Sequence, residues 1–240
     1  MTSLLTLIQN SAKQPTVLED AFVAVGTVIV ALEADFEKYL DAFLPFLVEG
    51  LRNHEEHQLC TISVGIVGDV CRSLAERATK YSETLVLALF EDLQSPVLHR
   101  NVKPHILSCF GDIAMAIGPA FESYLPTAMA VLQQASMVQN APDTADYEMV
   151  EYVNDLREGI AEAYVGIVSG FRMAGKADVL LPYMDYTLAF VGLVASDSID
   201  RSETLLRSTI GLVGDLATAY PTGPVMVKLQ QPWVFEYIKV

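Results

Sequence analysis

The chain has 240 residues, with 15 basic against 30 acidic side chains and a net charge of −15. That excess of acid argues against nucleic acid as a ligand, because phosphate binding needs a basic surface, and favours a basic protein segment. Hydrophobic residues make up 52% and charged residues 19%, enough for a large core, yet the longest apolar run, 21–32, is about 12 residues and too short to span a bilayer.

The chain opens on MTSLLTLIQNSAK, which lacks the basic and apolar regions of a signal peptide. Strict period-two alternation is missing, and nearly every segment has helical periodicity. Outer helices are expected near 2–10, 36–51, 80–93, 119–136 and 176–195, and inner helices near 16–32, 56–75, 99–117, 146–172 and 202–219. A further outer helix begins near 224. Turn signals separate them at Lys13–Pro15, Arg52–His54, Ser95–Pro96, Gly118–Pro119, Asn140–Pro142, Ser196–Ser198 and Pro221–Pro224.

Catalytic and metal motifs are missing. His54, His57 and Cys60 in HEEHQLC share a helix face, but a fourth ligand at zinc spacing is absent and the histidines lack i,i+4 spacing. His99 and His105 flank a helix start and read as structural. GIVGD at 65–69 lies inside a helix with no following Lys-Ser/Thr, so it is no phosphate loop. Cys60, Cys71 and Cys109 lie in apolar helical patterns and read as buried free thiols, which suits a reducing compartment. We therefore expect no enzyme, no cofactor and no metal.

The longest inner helix, 146–172, carries two opposed stripes. Met149, Val153, Leu156, Ile160, Tyr164, Ile167 and Phe171 form the apolar one. Glu148, Glu151, Asp155, Glu158 and Glu162 form the other, about 200° away, with only Arg157 near the acids as a candidate neutralising partner. Like charges at this spacing repel by a few tenths of a kcal/mol per pair. The file is either a solvated face or the receiver of a basic partner.

The chain also repeats. ALEADFEKYL at 31–40 matches AIGPAFESYL at 116–125 with an offset of 85 residues. Gly26, Gly68, Gly111, Gly166 and Gly214 recur in the inner helices at intervals of 42, 43, 55 and 48, the two long intervals holding acidic inserts at 137–147 and 196–202. A mid-helix glycine costs about 1 kcal/mol relative to alanine, so its recurrence suggests close helix approach. Asp69, Asp112 and Asp215 each follow one of these glycines. A structural bond to the next repeat and a ligand-facing carboxylate both fit them.

A period in the low forties with two helices per unit indicates an all-α superhelix, a HEAT-repeat solenoid of about five helix pairs plus a partial repeat. The expected repeats are 1–34, 36–76, 80–118, 119–172 and 176–220, with a partial one at 224–240. Neither end looks capped, which suggests a piece of a longer array.

VGIVGDVCRSL (64–74), HRNVKPHILSCFGDIAMAIG (99–118), LQQAS (132–136) followed by DYEMVEYVNDLREGIAEAYVGIV (146–168), and IGLVGDLATAY (210–220) resemble the C-terminal part of the importin-beta (karyopherin-beta) transport receptors. The departures lie at 137–145, 172–180 and after Pro221. The resemblance implies nuclear protein import, with residence in cytoplasm, nucleus and nuclear pore complex. It implies that the acidic file, with Asp69, Asp112 and Asp215 as weaker candidates, binds the basic importin-beta-binding helix of importin-alpha. It also implies pockets between outer helices for Phe-Gly nucleoporins, for which Leu5, Tyr81 and Leu85 are candidates, Ala88 weakening the latter pocket. Only a marginal contact with the Ran GTPase is expected. A generic HEAT scaffold of a multiprotein complex is the alternative; it would bind through repeat turns and has no need of an inner acidic file.

Overall fold

The structure is a computed structural model that describes residues 1–11, 13–139, 147–197 and 202–239. The expected turn at 140–142, Asp146 at the head of the long helix, most of the first acidic insert and residues 198–201 of the second lie outside the described residues. The chain runs through α1 (Thr2–Asn10), α2 (Pro15–Leu32), α3 (Glu37–Leu51), α4 (His57–Leu74), α5 (Thr79–Gln94), α6 (Val102–Ile117), α7 (Leu125–Ser136), α8 (Tyr147–Met173), α9 (Met184–Ser196), α10 (Glu203–Ala219), α11 (Pro224–Leu229) and α12 (Pro232–Tyr237). No strand occurs among the described residues.

Local sequence sets the ends of these helices. Pro15, Pro224 and Pro232 open α2, α11 and α12, where a missing N–H costs nothing. Ser202 caps α10, its Oγ accepting from the Leu205 N–H at 3.0 Å. Pro232 also breaks the helix that begins at Pro224, because the residue before a proline avoids helical backbone.

A repeated corner joins the helix pairs. Glu33, Ala75 and Gly118 have φ of 49°, 49° and 51° at the ends of α2, α4 and α6. Each is followed by a 3-10 turn, at Glu33–Phe36, Ala75–Ala78 and Gly118–Ser123. The turns push Phe36, Ala78 and Phe121 into the core. The 85-residue offset read from the sequence is this corner seen two units apart. It also shortens α7, which starts at Leu125 because the turn occupies 118–123, and α9, which follows another 3-10 turn at Ala177–Tyr183.

The helices form two layers. α2, α4, α6, α8 and α10 stack each on the next, while α1, α3, α5, α7 and α9 lie outside them with fewer mutual contacts. A stack whose layers differ in spacing curves toward the tighter one, so the even-numbered layer is the concave side. On α8, Val153, Leu156, Ile160, Tyr164, Ile167 and Phe171 are buried as the apolar stripe requires, and Met149 is half-buried. Val102–Ser123 and Ala177–Ser196 are long and apolar enough to cross a membrane by length and composition, although neither is one uninterrupted apolar run. In this fold α6 is sandwiched between α4 and α8, and half of Val102–Ser123 is buried.

The tightest contact is between α6 and α8. A Cβ on Gly166 would lie 2.4 Å from the Gly111 carbonyl oxygen, one on Gly170 2.4 Å from that of Ala114, and one on Gly159 2.4 Å from that of Pro104. The close approach expected of the recurrent glycines therefore holds for Gly111 and Gly166, and for Gly68, whose Cβ would meet the Asp112 carboxylate at 2.5 Å. It fails for Gly26, where the Asp69 carboxylate stands at an ordinary 3.5 Å, and for Gly214, which faces open space.

Candidate protein-binding site

The acidic file runs along the open side of α8, opposite its buried stripe. Glu148, Glu151, Asp155 and Glu162 are exposed and Glu158 is half-buried. Glu162 accepts from Ser108 Oγ on α6 at 2.6 Å. Glu158 accepts from Ser202 Oγ, the cap of α10. Glu148 takes Arg100 Nη2 at 3.2 Å, an exposed pair that contributes little. Glu151 and Asp155 have neither hydrogen bond nor ion pair among the described residues. Burial, then Glu158 and Glu151, raise the Asp155 pKa above its ordinary 3.8, and His105 opposes them.

Arg157 does not neutralise this file. It is only 5% exposed and turns to the other side of α8, where Nη1 donates to Asp197 Oδ2 at 2.6 Å. A guanidinium one residue from an acid projects about 100° away from it on a helix. Breaking a buried pair leaves a desolvated charge. Arg157→Met is thus expected to cost about 3 kcal/mol in urea unfolding, with basic-peptide affinity unchanged; a large loss of affinity at unchanged stability would put Arg157 in the site instead.

The weaker acidic candidates are engaged in the fold. Arg72 on α4 donates Nη2 to Asp69 at 2.7 Å and Nη1 to Asp112 on α6, tying two inner helices together. Arg172 on α8 stands 3.5 Å from Asp215 on α10. Of the two readings open for these aspartates, the structural one accounts for their geometry. All three are still partly exposed, and Asp112, Glu162 and Asp215 line one open groove with Arg72, Met115 and Arg207.

The outer-helix candidates need correction. Tyr81 is 3% exposed and Leu85 fully buried, because α5 turns this stripe into the core. Ala88 is buried too. Leu5 on α1 is half-buried and packs against the core. A mixed pocket lies at the junction of α1, α2, α3 and α4, lined by Ile8, Leu18, Phe22, Phe46, Gly50 and Leu59 together with Gln9, Glu49 and Asn53. Its sequence signal was the half-buried Phe46, which the helical stripe of α3 leaves beside Phe43 and Leu47.

The residues weighed for a metal have other roles. His54 bonds Asp92 at 3.0 Å and Ser95 at 3.1 Å, His57 stacks on His99 with ring centroids 4.4 Å apart, and Cys60 Sγ donates to the Leu51 carbonyl at 3.0 Å. No group of three or more metal-ligating side chains occurs among the described residues. Cys60, Cys71 and Cys109 are free and buried. Burial pushes the first two thiols up to about 12 and Cys109 well above its ordinary value, so none is a ready thiolate.

The helix-pair solenoid matches known proteins in sequence and fold. The whole chain, residues 1–240, matches the family described as "Importin subunit beta-1-like, TPR repeats". The chain belongs to the importin subunit beta-1 family. Importin subunit beta-1 of Schizosaccharomyces pombe is 44% identical over 234 residues, which is 98% of this chain and 27% of that protein. A crystal structure of importin beta superposes with a TM-score of 0.93 at 42% identity, covering 98% of this chain and 28% of the other. A Kap95:Nup1 complex gives 0.89 at 31% identity, covering 99% and 28%. A Kap95p structure described with RanGDP gives 0.86 at 33% identity, covering 98% and 27%. The chain thus spans about a quarter of the length of these importin-beta relatives. The comparisons assign it to the TPR-repeat region, and the C-terminal placement expected from the sequence is withdrawn in favour of that assignment.

Proposed function

We propose that this chain is part of a non-enzymatic nuclear import receptor whose concave face binds a basic helix, the importin-beta-binding segment of importin-alpha being the partner. The observation that carries the reading is the pair Glu151 and Asp155: exposed carboxylates without a hydrogen bond or ion pair among the described residues, on the inner layer, in file with Glu148, Glu158 and Glu162. Charge-assisted bonds from arginine or lysine are about twice as strong as neutral ones, and a file of them in a curved groove gives affinity that a single surface pair lacks. The pocket at the α1–α4 junction takes a nucleoporin Phe-Gly side chain; the likeness to Kap95 in complex with Nup1 supports this. The likeness to Kap95p described with RanGDP supports a Ran contact made by the longer receptor, with a marginal share here. A receptor with these partners works in cytoplasm and nucleus and at the nuclear pore complex.

Titration with the basic segment of importin-alpha tests the reading. Binding is expected to saturate and to weaken about tenfold or more as salt shortens the Debye length from about 10 Å toward about 3 Å. It is also expected to weaken as pH falls toward the raised pKa of Asp155, in the range above 3.8. The free fold holds that proton more tightly than an unfolded chain does, and bound cations favour the charged form, so binding releases the proton. Salt-independent binding, or none at low salt, removes the acidic file as the site.

A further inference from the structure

The concave layer is not acidic throughout. At the other end, between α2 and α4, lies an open apolar trough walled by Val23, Thr27, Val30 and Ile62 and floored by Gly26 and Gly65. Val23 is 54% and Val30 59% exposed, although both sit in the most apolar stretch of the chain. On α2 they follow the spacing i, i+4, i+7 with Thr27 between them, so they form one stripe. A Cβ on Gly65 would meet nothing within 4 Å, so the floor is open rather than packed.

The trough is continuous with the acidic groove. Asp69 lines the trough and bonds Arg72, which lines the groove and bonds Asp112. Glu162 of the acidic file stands in the same groove. One surface therefore passes from apolar at α2/α4 to acidic at α8. Three inner-helix spacings of about 8–10 Å separate its ends, a distance spanned by about 16–20 helical residues at about 1.5 Å each.

We infer that the trough is a second contact for the segment that the acidic file receives, and that this segment is an amphipathic helix with apolar side chains at one end and basic ones at the other. The inference rests on the reading of the acidic file given above. Charge complementarity and the unbroken surface select this occupant: the basic part anchors on Glu162, where the file meets the groove, and on Asp155 and Glu151 about two to three turns further along α8, and the apolar part lies where exposed valines are otherwise left in water. The trough thereby selects among basic segments, because a uniformly charged helix gains nothing from it.

The test uses synthetic helical peptides about 20 residues long, with arginines at helical spacing in one half and leucines in the other, made in both sequence orders, and the same peptides with serine for leucine. The leucine peptide in one of the two orders is expected to bind the wild-type chain about tenfold more tightly or better than its serine partner. Gly65→Leu fills the trough with a better helix former and should keep or raise thermal stability. In it, and in Val30→Glu, the leucine advantage disappears while serine-peptide affinity stays. Equal affinities of leucine and serine peptides for the wild-type chain overturn the inference and leave the acidic file standing. An advantage that survives both variants also overturns it. Binding of neither peptide removes the acidic file and the inference together. Self-association of the wild-type chain lost in Gly65→Leu assigns the trough to a second copy, and displacement of the leucine half by a Phe-Gly peptide assigns it to that ligand; either result overturns the inference.

Discussion

The triple variant Glu151→Lys, Asp155→Lys, Glu158→Lys is expected to lose at least about two orders of magnitude in affinity for a basic helical peptide. Each change removes an attraction and adds a repulsion, and about 1 kcal/mol per position sums to about that loss. The fold should survive, because Glu151 and Asp155 are exposed and bond nothing among the described residues. Glu158 gives up its bond from Ser202, which costs about 1 kcal/mol and remains small for an array of this size. A matched control separates site from net charge. Glu76→Lys, Glu83→Lys and Glu122→Lys change the charge equally on exposed positions of α5 and of the turns leading into the outer layer. Titration calorimetry should show the control within a few-fold of wild type, since charges beyond a Debye length are screened. Equal losses in both variants would mean that the acidity acts as a diffuse field and that the file is not a site.

The second large effect concerns the fold. In Gly166→Val the new side chain meets the Gly111 carbonyl at 2.4 Å and its Cα at 2.5 Å, both of them backbone atoms. Backbone cannot rotate aside as a side chain can, so α6 and α8 must separate along the contact. Overpacking of this kind costs about 3 kcal/mol or more. Gly211→Ala is the counterpart: a Cβ there meets nothing within 4 Å, and helix propensity alone predicts a gain of about 1 kcal/mol. Urea unfolding of the two variants should shift in opposite directions. A Gly166→Val protein as stable as wild type would show that the two helices do not touch as described.

The helices and their pairing were legible because burial is periodic: the stripe from Val153 to Phe171 is apolar at helical spacing, and the structure buries it. The acidic file was legible for the same reason. What a helical stripe cannot show is which way a neighbouring side chain turns. Arg157 sits beside the acids in sequence but belongs to the pair with Asp197 some forty residues on. Tyr81 and Leu85 share a stripe that serves equally for a groove or a core, and only the packing of α5 decides for the core. The corners at Glu33 and Ala75 were invisible because a positive φ is normally signalled by glycine, which stands only at Gly118. The partnership of Arg72 with Asp69 and Asp112 needed the neighbouring unit in place, although the recurring glycine-aspartate pairs already marked where to look.

The contact between α6 and α8 has a consequence for how the array can deform. At Gly111/Gly166 and Ala114/Gly170 the two backbones touch without intervening side chains, so no rotamer change there can widen the contact, and among the described residues no salt bridge joins α6 to α8. The joint between α4 and α6 runs through a guanidinium shared by two carboxylates, which can lengthen or shear. Any change of pitch is therefore taken up on either side of the α6/α8 plank and not across it. Ser108 and Glu162 bond across that plank, so the spacing of the two helices beside the groove is set by backbone contact and not by side-chain rotamers.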